Sequence, residues 1–224
     1  MRTGGREAGR SSGAGTRLAV EDLRRAELID ATISTIAERG FTRSTVRQIA
    51  EKAGCSPASV LYYFPKKETL LEVAFAESDQ RFRDRVRAEL SEFEGAGKLE
   101  RIIELCFPDD HKSEPAWSVE IDFWAFADQR RSRGNFQEIY AAASSDWLGM
   151  LASATHEGIA TGELLPATDV QQWAVAFAAL IDGLAVHTRV TGHVDSAAAR
   201  KILGAHLDTI RSDRSMGQVD KGDS

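Results

Sequence analysis

Most of this chain repeats its apolar residues with the period of an α-helix. Between residues 20 and 40, apolar side chains recur every three or four positions, and charged residues such as Arg24 and Glu38 occupy the positions between them. Gly40 follows directly and is the kind of residue that ends a helix. No alternating run bounded by turn residues predicts a strand. The pattern therefore predicts an all-α protein.

Capping residues and helix breakers divide this pattern into segments. Glycines and prolines such as Gly54, Pro65 and Gly134 mark the breaks. The segments predict nine helices, at 21–39, 46–53, 57–63, 67–93, 98–106, 114–131, 135–161, 168–190 and 195–211. No repeat of fixed period relates them, so a helical solenoid is disfavoured.

The composition changes at both ends of the helical region. Residues 1–17 contain five Gly and four Arg but no apolar cluster, so they cannot bury enough surface to offset the entropy lost on ordering. We predict a disordered basic arm there and a disordered tail over 213–224. The region between them divides into a small domain over 18–70 and a larger domain over 71–212.

The composition is typical of a soluble globular protein. The 224 residues are 42% hydrophobic and 28% charged. The longest apolar run, Trp173 to Ile181, is far shorter than the roughly 20 residues that span a bilayer, and residues 1–17 lack the apolar stretch of a signal peptide. Two cysteines, Cys55 and Cys106, do not make a disulfide framework. We therefore expect a cytoplasmic protein with no membrane partner.

The charge is unevenly distributed between the two domains. A net charge of -6 argues, as an average, against nucleic acid as a partner. Residues 1–70, however, carry 12 Lys and Arg against 8 Asp and Glu, whereas residues 71–224 carry 16 against 26. Such asymmetry indicates a polyanion-binding end attached to a remainder with a different role.

Two very short helices joined by a tight turn are predicted within residues 45–64. Thr45 and Gln48 have the capping-box spacing, in which each side chain accepts a hydrogen bond from a backbone N–H group at the start of the helix. Gly54 can adopt the left-handed conformation that stops the first helix. Ser56 is a good N-cap for the second helix, and the proline after it suits the first helical position.

The apolar residues of this segment agree with that geometry. Ile49, Ala50 and Ala53 form one face of the first helix, and Val60 and Leu61 form one face of the second. A helix-turn-helix places its second helix in the major groove of double-stranded DNA. The residues left exposed there and at the start of the next helix are Pro57, Ala58, Ser59, Tyr62, Tyr63, Lys66 and Lys67. Their hydroxyls and ammonium groups are suited to phosphate oxygens.

Residues 20–72 resemble the DNA-binding domain of TetR-type transcriptional repressors. The resemblance rests on Phe41-Thr42, Thr45-Val46-Arg47-Gln48-Ile49-Ala50, Ala53-Gly54-Cys55-Ser56, Val60-Leu61-Tyr62-Tyr63-Phe64 and Lys67-Glu68-Thr69-Leu70-Leu71. It implies a three-helix head that binds DNA and a larger helical body that binds a small molecule and forms a homodimer.

The resemblance also implies which residues meet DNA. They are Thr45 and Arg47 at a phosphate or a base edge, Pro57, Ala58 and Ser59 at the bases, and Tyr62, Tyr63 and Lys67 at phosphates. Residues 57–59 depart from the common pattern of base recognition, because their side chains cannot make the bidentate hydrogen bonds that recognise guanine or adenine. Sequence readout would then depend on Arg47, on contacts with thymine methyl groups and on DNA shape.

Several residues of this segment could have a purely structural role instead of a contact with DNA. We expect Phe64 to lie in the core beneath a third helix. A core position is equally open for Tyr62 and is disfavoured for Tyr63. Thr45 could be a helix cap and nothing more, and Arg47 could be a solvated charge.

Aromatic and acidic residues share one side of the helix predicted at 114–131. Indoles and carboxylates together suit a cationic ligand, although buried indoles and solvated acids are the commoner arrangement. The candidate ligand-binding residues are Trp117, Glu120, Ile121, Trp124, Asp128, Tyr140, Trp147 and Phe177. The stretches 121–126 and 179–184 look like the branch of the family that includes choline-responsive betaine-synthesis repressors. The effector itself, cationic or aromatic, is not identified.

Other function classes find little support in the sequence. Its five histidines do not form a metal-binding motif, and it contains no phosphate-binding loop, nucleophile elbow or zinc signature. We therefore predict neither an enzyme nor a cofactor. The favoured function is a repressor that binds a palindromic operator as a dimer and is released by a small molecule. A helical protein-interaction module, or an activator with the same head, is the alternative.

Overall fold

The computed structural model describes residues 11–109, 117, 119–124 and 136–212. The helices among them are α1 (Ser11–Arg39), α2 (Val46–Lys52), α3 (Pro57–Tyr63), α4 (Lys67–Leu90), α5 (Ala96–Cys106), α6 (119–124), α7 (Phe136–Ala160), α8 (Val170–Val186) and α9 (Ser196–Asp208). A π-helical turn, His187–Thr191, continues α8. These residues contain no strand beyond an isolated antiparallel bridge between Leu164 and Arg211. The prediction of an all-α protein is confirmed.

The predicted helix boundaries agree with the observed ones to within a few residues, except at the start of α1. This helix begins at Ser11, ten residues before the predicted start. Adding turns to an existing helix avoids the cost of nucleation, which offsets the glycines in this stretch. Outside the described residues lie 1–10, most of 114–131 and the tail 213–224.

Helices α1, α2 and α3 pack around a small apolar core that the start of α4 closes. Its buried members are Leu28, Ala31, Ile49, Ala50, Val60, Phe64 and Leu70. Phe64 is therefore core, as favoured above. Leu61 is 44% exposed, so its predicted place on the buried face of α3 is wrong. Successive residues of a helix lie about 100° apart, and Val60 takes the buried position on this two-turn helix.

An aromatic cluster joins the head, formed by α1 to α3 and the start of α4, to the body that follows. Phe41, in the turn after α1, lies edge-on to Phe123 of α6 with ring centroids 5.7 Å apart. Phe75 of α4 is stacked on the same phenylalanine at 3.5 Å. All three rings are fully buried. This cluster therefore packs residues of α1 and α4 against α6.

Helices α7 and α8 are the central pair of the body, and α5 and α9 pack against them. The residues of α8 that face inward are Val170, Trp173, Ala174, Phe177, Ala178, Ile181, Leu184 and Ala185. The opposite side of α8 exposes Val175 and Ala179, and Ile202 of α9 is 42% exposed. Residues Val170–Thr191 are long and apolar enough to cross a membrane, as core helices of soluble proteins also are.

Candidate functional site

In the turn between α2 and α3, side chains accept hydrogen bonds from the free backbone N–H groups at the helix ends. The Gln48 N–H donates to Thr45 Oγ1 at 3.3 Å, and the Thr45 N–H donates to Gln48 Oε1 at 3.0 Å, which completes the predicted capping box. Gly54 has a φ of +63°, a conformation that strains residues with a side chain. The Ser59 N–H donates to Ser56 Oγ at 3.1 Å and caps α3. The predicted helix-turn-helix is confirmed.

The predicted DNA-binding residues all lie on α2, on α3 or at the adjoining helix ends. The exposed members are Thr45, Arg47, Pro57, Ala58 and Tyr62, and the partly buried members are Ser59, Tyr63 and Lys67. Tyr62 is 72% exposed, which excludes a core role for it. Its ring lies edge-on to that of Tyr63, with centroids 5.1 Å apart. The contacts of this surface with DNA stay predictions.

Two basic side chains make hydrogen bonds that connect this surface to the rest of the head. Lys67 Nζ donates to the carbonyl oxygen of Ser44 at 2.8 Å, which ties the start of α4 to the turn before α2. Arg25 Nη1 donates to the Tyr63 carbonyl at 3.3 Å, and its guanidinium lies 4.4 Å from the centroid of the Phe64 ring. The ammonium of Lys67 therefore has a structural hydrogen bond in addition to any contact with DNA.

A cavity of about 100 Å³ lies in the body between α4, α6, α7 and α8. The volume is room for several water molecules or a small organic molecule. Its described walls consist of Ser78, Asp79, Phe82, Arg83, Trp117, Glu120, Trp124, Tyr140, Ala143, Ser144, Trp147, Ala178 and Asp182. Aromatic rings and carboxyl groups thus face the same space.

Most of the predicted ligand-binding residues meet at this cavity. They are Trp117, Glu120, Trp124, Tyr140 and Trp147, contributed by α6, by α7 and by residue 117 just before α6. Two predicted residues lie elsewhere. Phe177 is buried against Trp173 with ring centroids 4.6 Å apart, and Ile121 packs into the apolar core of the body. Helical spacing groups residues on a broad face but does not separate core from cavity. Asp128 lies outside the described residues.

Several cavity residues were missed from the sequence. Asp182 interrupts the apolar helix α8, and this isolated carboxyl was a signal that could have identified it. Asp79 and Arg83 belong to α4, where charged residues are so frequent that the sequence does not distinguish these two from solvated ones. They reach the cavity because α4 packs against α7, a helix far away in the sequence.

Arg83 is a buried guanidinium that joins α4 to α7 beside the cavity. It pairs with Asp79 on its own helix, and its Nε lies 2.9 Å from Asp146 Oδ2 of α7. Further donors reach Gln80 Oε1 at 3.0 Å and the Ala143 carbonyl at 3.3 Å. The charge of Arg83 is therefore neutralised by the protein itself.

The carboxyls of the cavity are shifted toward their neutral forms. Burial, reinforced by the negative charges of Asp79 and Asp182, raises the pKa of Glu120 to about 8. Burial raises the pKa of Asp182 to about 6. The pKa of Asp79 is also raised by burial, although the adjacent Arg83 opposes the shift. Burial, with the nearby carboxylates, raises the pKa of the Tyr140 hydroxyl.

Helix α6 has the cavity on one side and the head on the other. Glu120 and Trp124 line the cavity, while Phe123 between them belongs to the aromatic cluster described above. The carboxyl of Asp122 lies against Gly40, at the end of α1, where a side chain on the glycine would overlap it. Helix α6 therefore carries residues of the cavity wall and residues that pack against the head.

The described part of the chain contains no group of three or more His, Cys, Asp or Glu residues arranged to hold a metal ion. A helix-turn-helix head on a helical body with a cavity of small-molecule size defines a ligand-responsive transcriptional regulator. Residues 28–74 match the N-terminal domain of the tetR family of bacterial regulatory proteins, and residues 95–212 match the C-terminal domain of BetI-type transcriptional repressors. The chain belongs to the TetR family and has a body of the BetI type.

Individual relatives agree with this assignment. The transcriptional regulator BetI of Escherichia coli O17:K52:H18 is 30% identical over 201 residues, which cover 86% of this chain and 98% of that protein. A regulator from Saccharomonospora viridis, solved in complex with choline, is 26% identical with a TM-score of 0.76, covering 84% of this chain and 98% of that one. FadR of Bacillus subtilis, solved with stearoyl-CoA, shares the fold at 24% identity and a TM-score of 0.65, covering 82% and 95%.

Proposed function

We propose that this protein is a cytoplasmic repressor that binds a palindromic operator as a homodimer and leaves it when an organic cation enters the cavity. The cation would be of the quaternary ammonium class that includes choline. The observation that carries the proposal is the cavity wall, in which aromatic rings lie beside carboxyls that outnumber guanidinium groups among its described residues.

A quaternary ammonium ion has no N–H group to donate, so a site binds it by surrounding it with ring faces and negative charge. Trp117, Trp124 and Trp147 supply indoles, the aromatic side chain that attracts cations most strongly. Glu120 and Asp182 supply charge, since Arg83 is already paired within the protein. Choline bound to the Saccharomonospora viridis regulator supports choline as the first compound to test.

A long-chain acyl-CoA, the type of molecule bound to the Bacillus FadR, fits this cavity poorly. The cavity volume of about 100 Å³ is small for an acyl chain of that length. The ionised carboxyl of Asp182 would also repel the phosphates of coenzyme A. The charge and the size of the cavity thus both favour a small cation.

On the DNA side, we propose that the exposed surface of α2, α3 and the start of α4 enters the major groove. The proposed contacts are Thr45, Arg47, Pro57, Ala58, Ser59, Tyr62, Tyr63 and Lys67. A palindromic site needs two heads related by a two-fold axis. The exposed apolar side of α8 and α9, represented by Val175 and Ile202, supports pairing of two copies through these helices.

Release requires that the cation bind more tightly to the conformation that does not bind DNA. Helix α6 supports this coupling, because Glu120 and Trp124 line the cavity while Phe123 packs on the head. A movement of α6 toward a bound cation would change the support of α4 and of the turn after α1. The spacing of the two heads would then no longer match successive major grooves.

The test is a DNA-binding titration with the DNA that flanks the gene for this protein. We expect fluorescence anisotropy to show salt-sensitive binding by a dimer and dissociation on adding choline. Its neutral isostere 3,3-dimethyl-1-butanol should act at least tenfold more weakly, because the cation–ring attraction is lost. Equal responses to both compounds, or no response to choline together with no binding of choline, would contradict the proposal.

A further inference from the structure

The carboxyls that face the cavity differ in their counter-ions. Asp79 is paired with Arg83 on α4. Within the described part of the chain, no ion pair reaches Glu120 of α6 or Asp182 of α8. The other titratable group that faces them is the hydroxyl of Tyr140 on α7. A buried carboxyl without a counter-ion favours its uncharged form, because ionisation there is poorly solvated.

We propose that the cavity takes up its organic cation in exchange for a proton, which the carboxyl of Glu120 gives up to solvent. The inference rests on the proposed function, since it concerns the same cavity and the same class of ligand. The charge balances: one positive charge enters with the ligand, the O–H bond of Glu120 breaks, and its proton leaves. Glu120 is thus neutral in the empty cavity and is the carboxylate counter-ion in the filled one.

The electrostatics of the empty site support this assignment. With a pKa of about 8, Glu120 is mostly protonated at pH 7, whereas Asp182, with a pKa of about 6, is mostly ionised. A cation beside Glu120 stabilises its charged form and lowers its pKa, so the proton is released on binding. Below about pH 8, the affinity for a cation should therefore rise with pH, by up to about tenfold per unit. An uncharged ligand should show no such dependence.

The measurement is isothermal titration calorimetry of the full-length protein with choline at pH 7. Phosphate and Tris buffers have different ionisation enthalpies, so the difference in the observed heats gives the number of protons released. We expect close to one proton per bound choline. The uncharged 3,3-dimethyl-1-butanol should release none. Both measurements use the unmodified protein and do not depend on the folding of a variant.

Two isosteric variants identify the group that releases the proton. In Glu120→Gln, the glutamine resembles the protonated glutamate but cannot lose a proton. This variant should bind choline with little or no proton release, and its affinity for choline should not change between pH 7 and 8. Asp182→Asn is the matched control at the same cavity and should still release most of a proton at pH 7, because burial, the largest cause of the raised pKa of Glu120, remains when the charge of Asp182 is removed.

The possible failures are distinguishable. If choline binds without proton release, the exchange is wrong and the proposed function stands. If proton release persists in Glu120→Gln, the assignment to Glu120 is wrong. If choline does not bind at any pH between 6 and 9, the proposed function fails for this ligand, and the exchange fails with it.

Discussion

Phe75 and Phe123 are stacked with their ring centroids 3.5 Å apart and their planes within 6° of parallel. Phe75 belongs to α4, the helix that leaves the head, and Phe123 lies between cavity residues on α6. Both rings are fully buried. Close-packed rings transmit a displacement because the interior has few voids to absorb it. The pair therefore links α6, which carries cavity residues on either side of Phe123, to the helix that leaves the head.

Replacing Phe123 by leucine should weaken this contact without opening a large hole. We expect a loss of about 1–2 kcal/mol in the free energy of unfolding, because leucine keeps the apolar surface but loses the ring stacking. Choline should still bind, but it should reduce operator affinity less than in the unmodified protein. Urea unfolding, calorimetry and anisotropy measure these three quantities.

Phe93→Leu is the matched control for this prediction. Phe93 is 37% exposed and lies outside the aromatic cluster, so its replacement should change neither stability nor the choline response appreciably. An unchanged choline response in Phe123→Leu would show that coupling does not pass through the aromatic pair.

Gly40 combines backbone strain with a close neighbour. Its φ is +79°, and a side chain there would overlap the carboxyl of Asp122. We expect Gly40→Ala to lower the free energy of unfolding by about 1–3 kcal/mol. Gly162→Ala, at a φ of +76° with open space around it, should cost only the backbone strain, about 1 kcal/mol. Thermal unfolding of both variants measures the difference, and equal losses would show that Asp122 contributes nothing.

The sequence predicted the head more completely than the body. Caps such as Thr45 and Ser56 act within a few residues of themselves, so their roles could be inferred from local spacing alone. The cavity is formed by helices far apart in the sequence, and whether Phe177 faced it depended on how α8 rotates against α7. The paired charges of Arg83 and Asp146 illustrate the same limit, since nothing local to either residue indicates the other.

Lys67 is predicted to contact a DNA phosphate, and its ammonium group also donates a hydrogen bond to the Ser44 carbonyl. We expect Lys67→Met to weaken binding to all DNA sequences and to lower the slope of log affinity against log salt by about one, the value for one lost phosphate contact. The variant should also lose about 1–2 kcal/mol of stability through the broken hydrogen bond. Anisotropy at several salt concentrations and urea unfolding separate the two roles. A loss of stability with an unchanged salt slope would leave Lys67 with only the structural role.

Trp124 is the indole that α6 presents to the cavity. Replacing it by leucine should weaken choline binding about 5- to 30-fold, the range expected for losing one desolvated cation–ring contact. Trp173→Leu is the control, because this indole is stacked on Phe177 in the core and does not line the cavity. Calorimetry should show nearly normal choline affinity for the control if it folds, as far-UV circular dichroism would verify. Similar losses in both variants would contradict a specific role for Trp124.

The exposed side of α8 is predicted to be the surface through which two copies pair. Ala179 lies there in solvent in the isolated chain, and Ala141 lies in solvent on α7. Glutamate in place of Ala179 would bury an unpaired charge if two α8 helices pair through this side. We therefore expect Ala179→Glu to be folded but monomeric by analytical ultracentrifugation, with operator affinity reduced at least 100-fold because one head binds alone.

Ala141→Glu adds the same charge to another exposed helix and should stay dimeric. A dimeric Ala179→Glu that binds the operator normally would exclude this side of α8 from the interface and place pairing on another surface of the body.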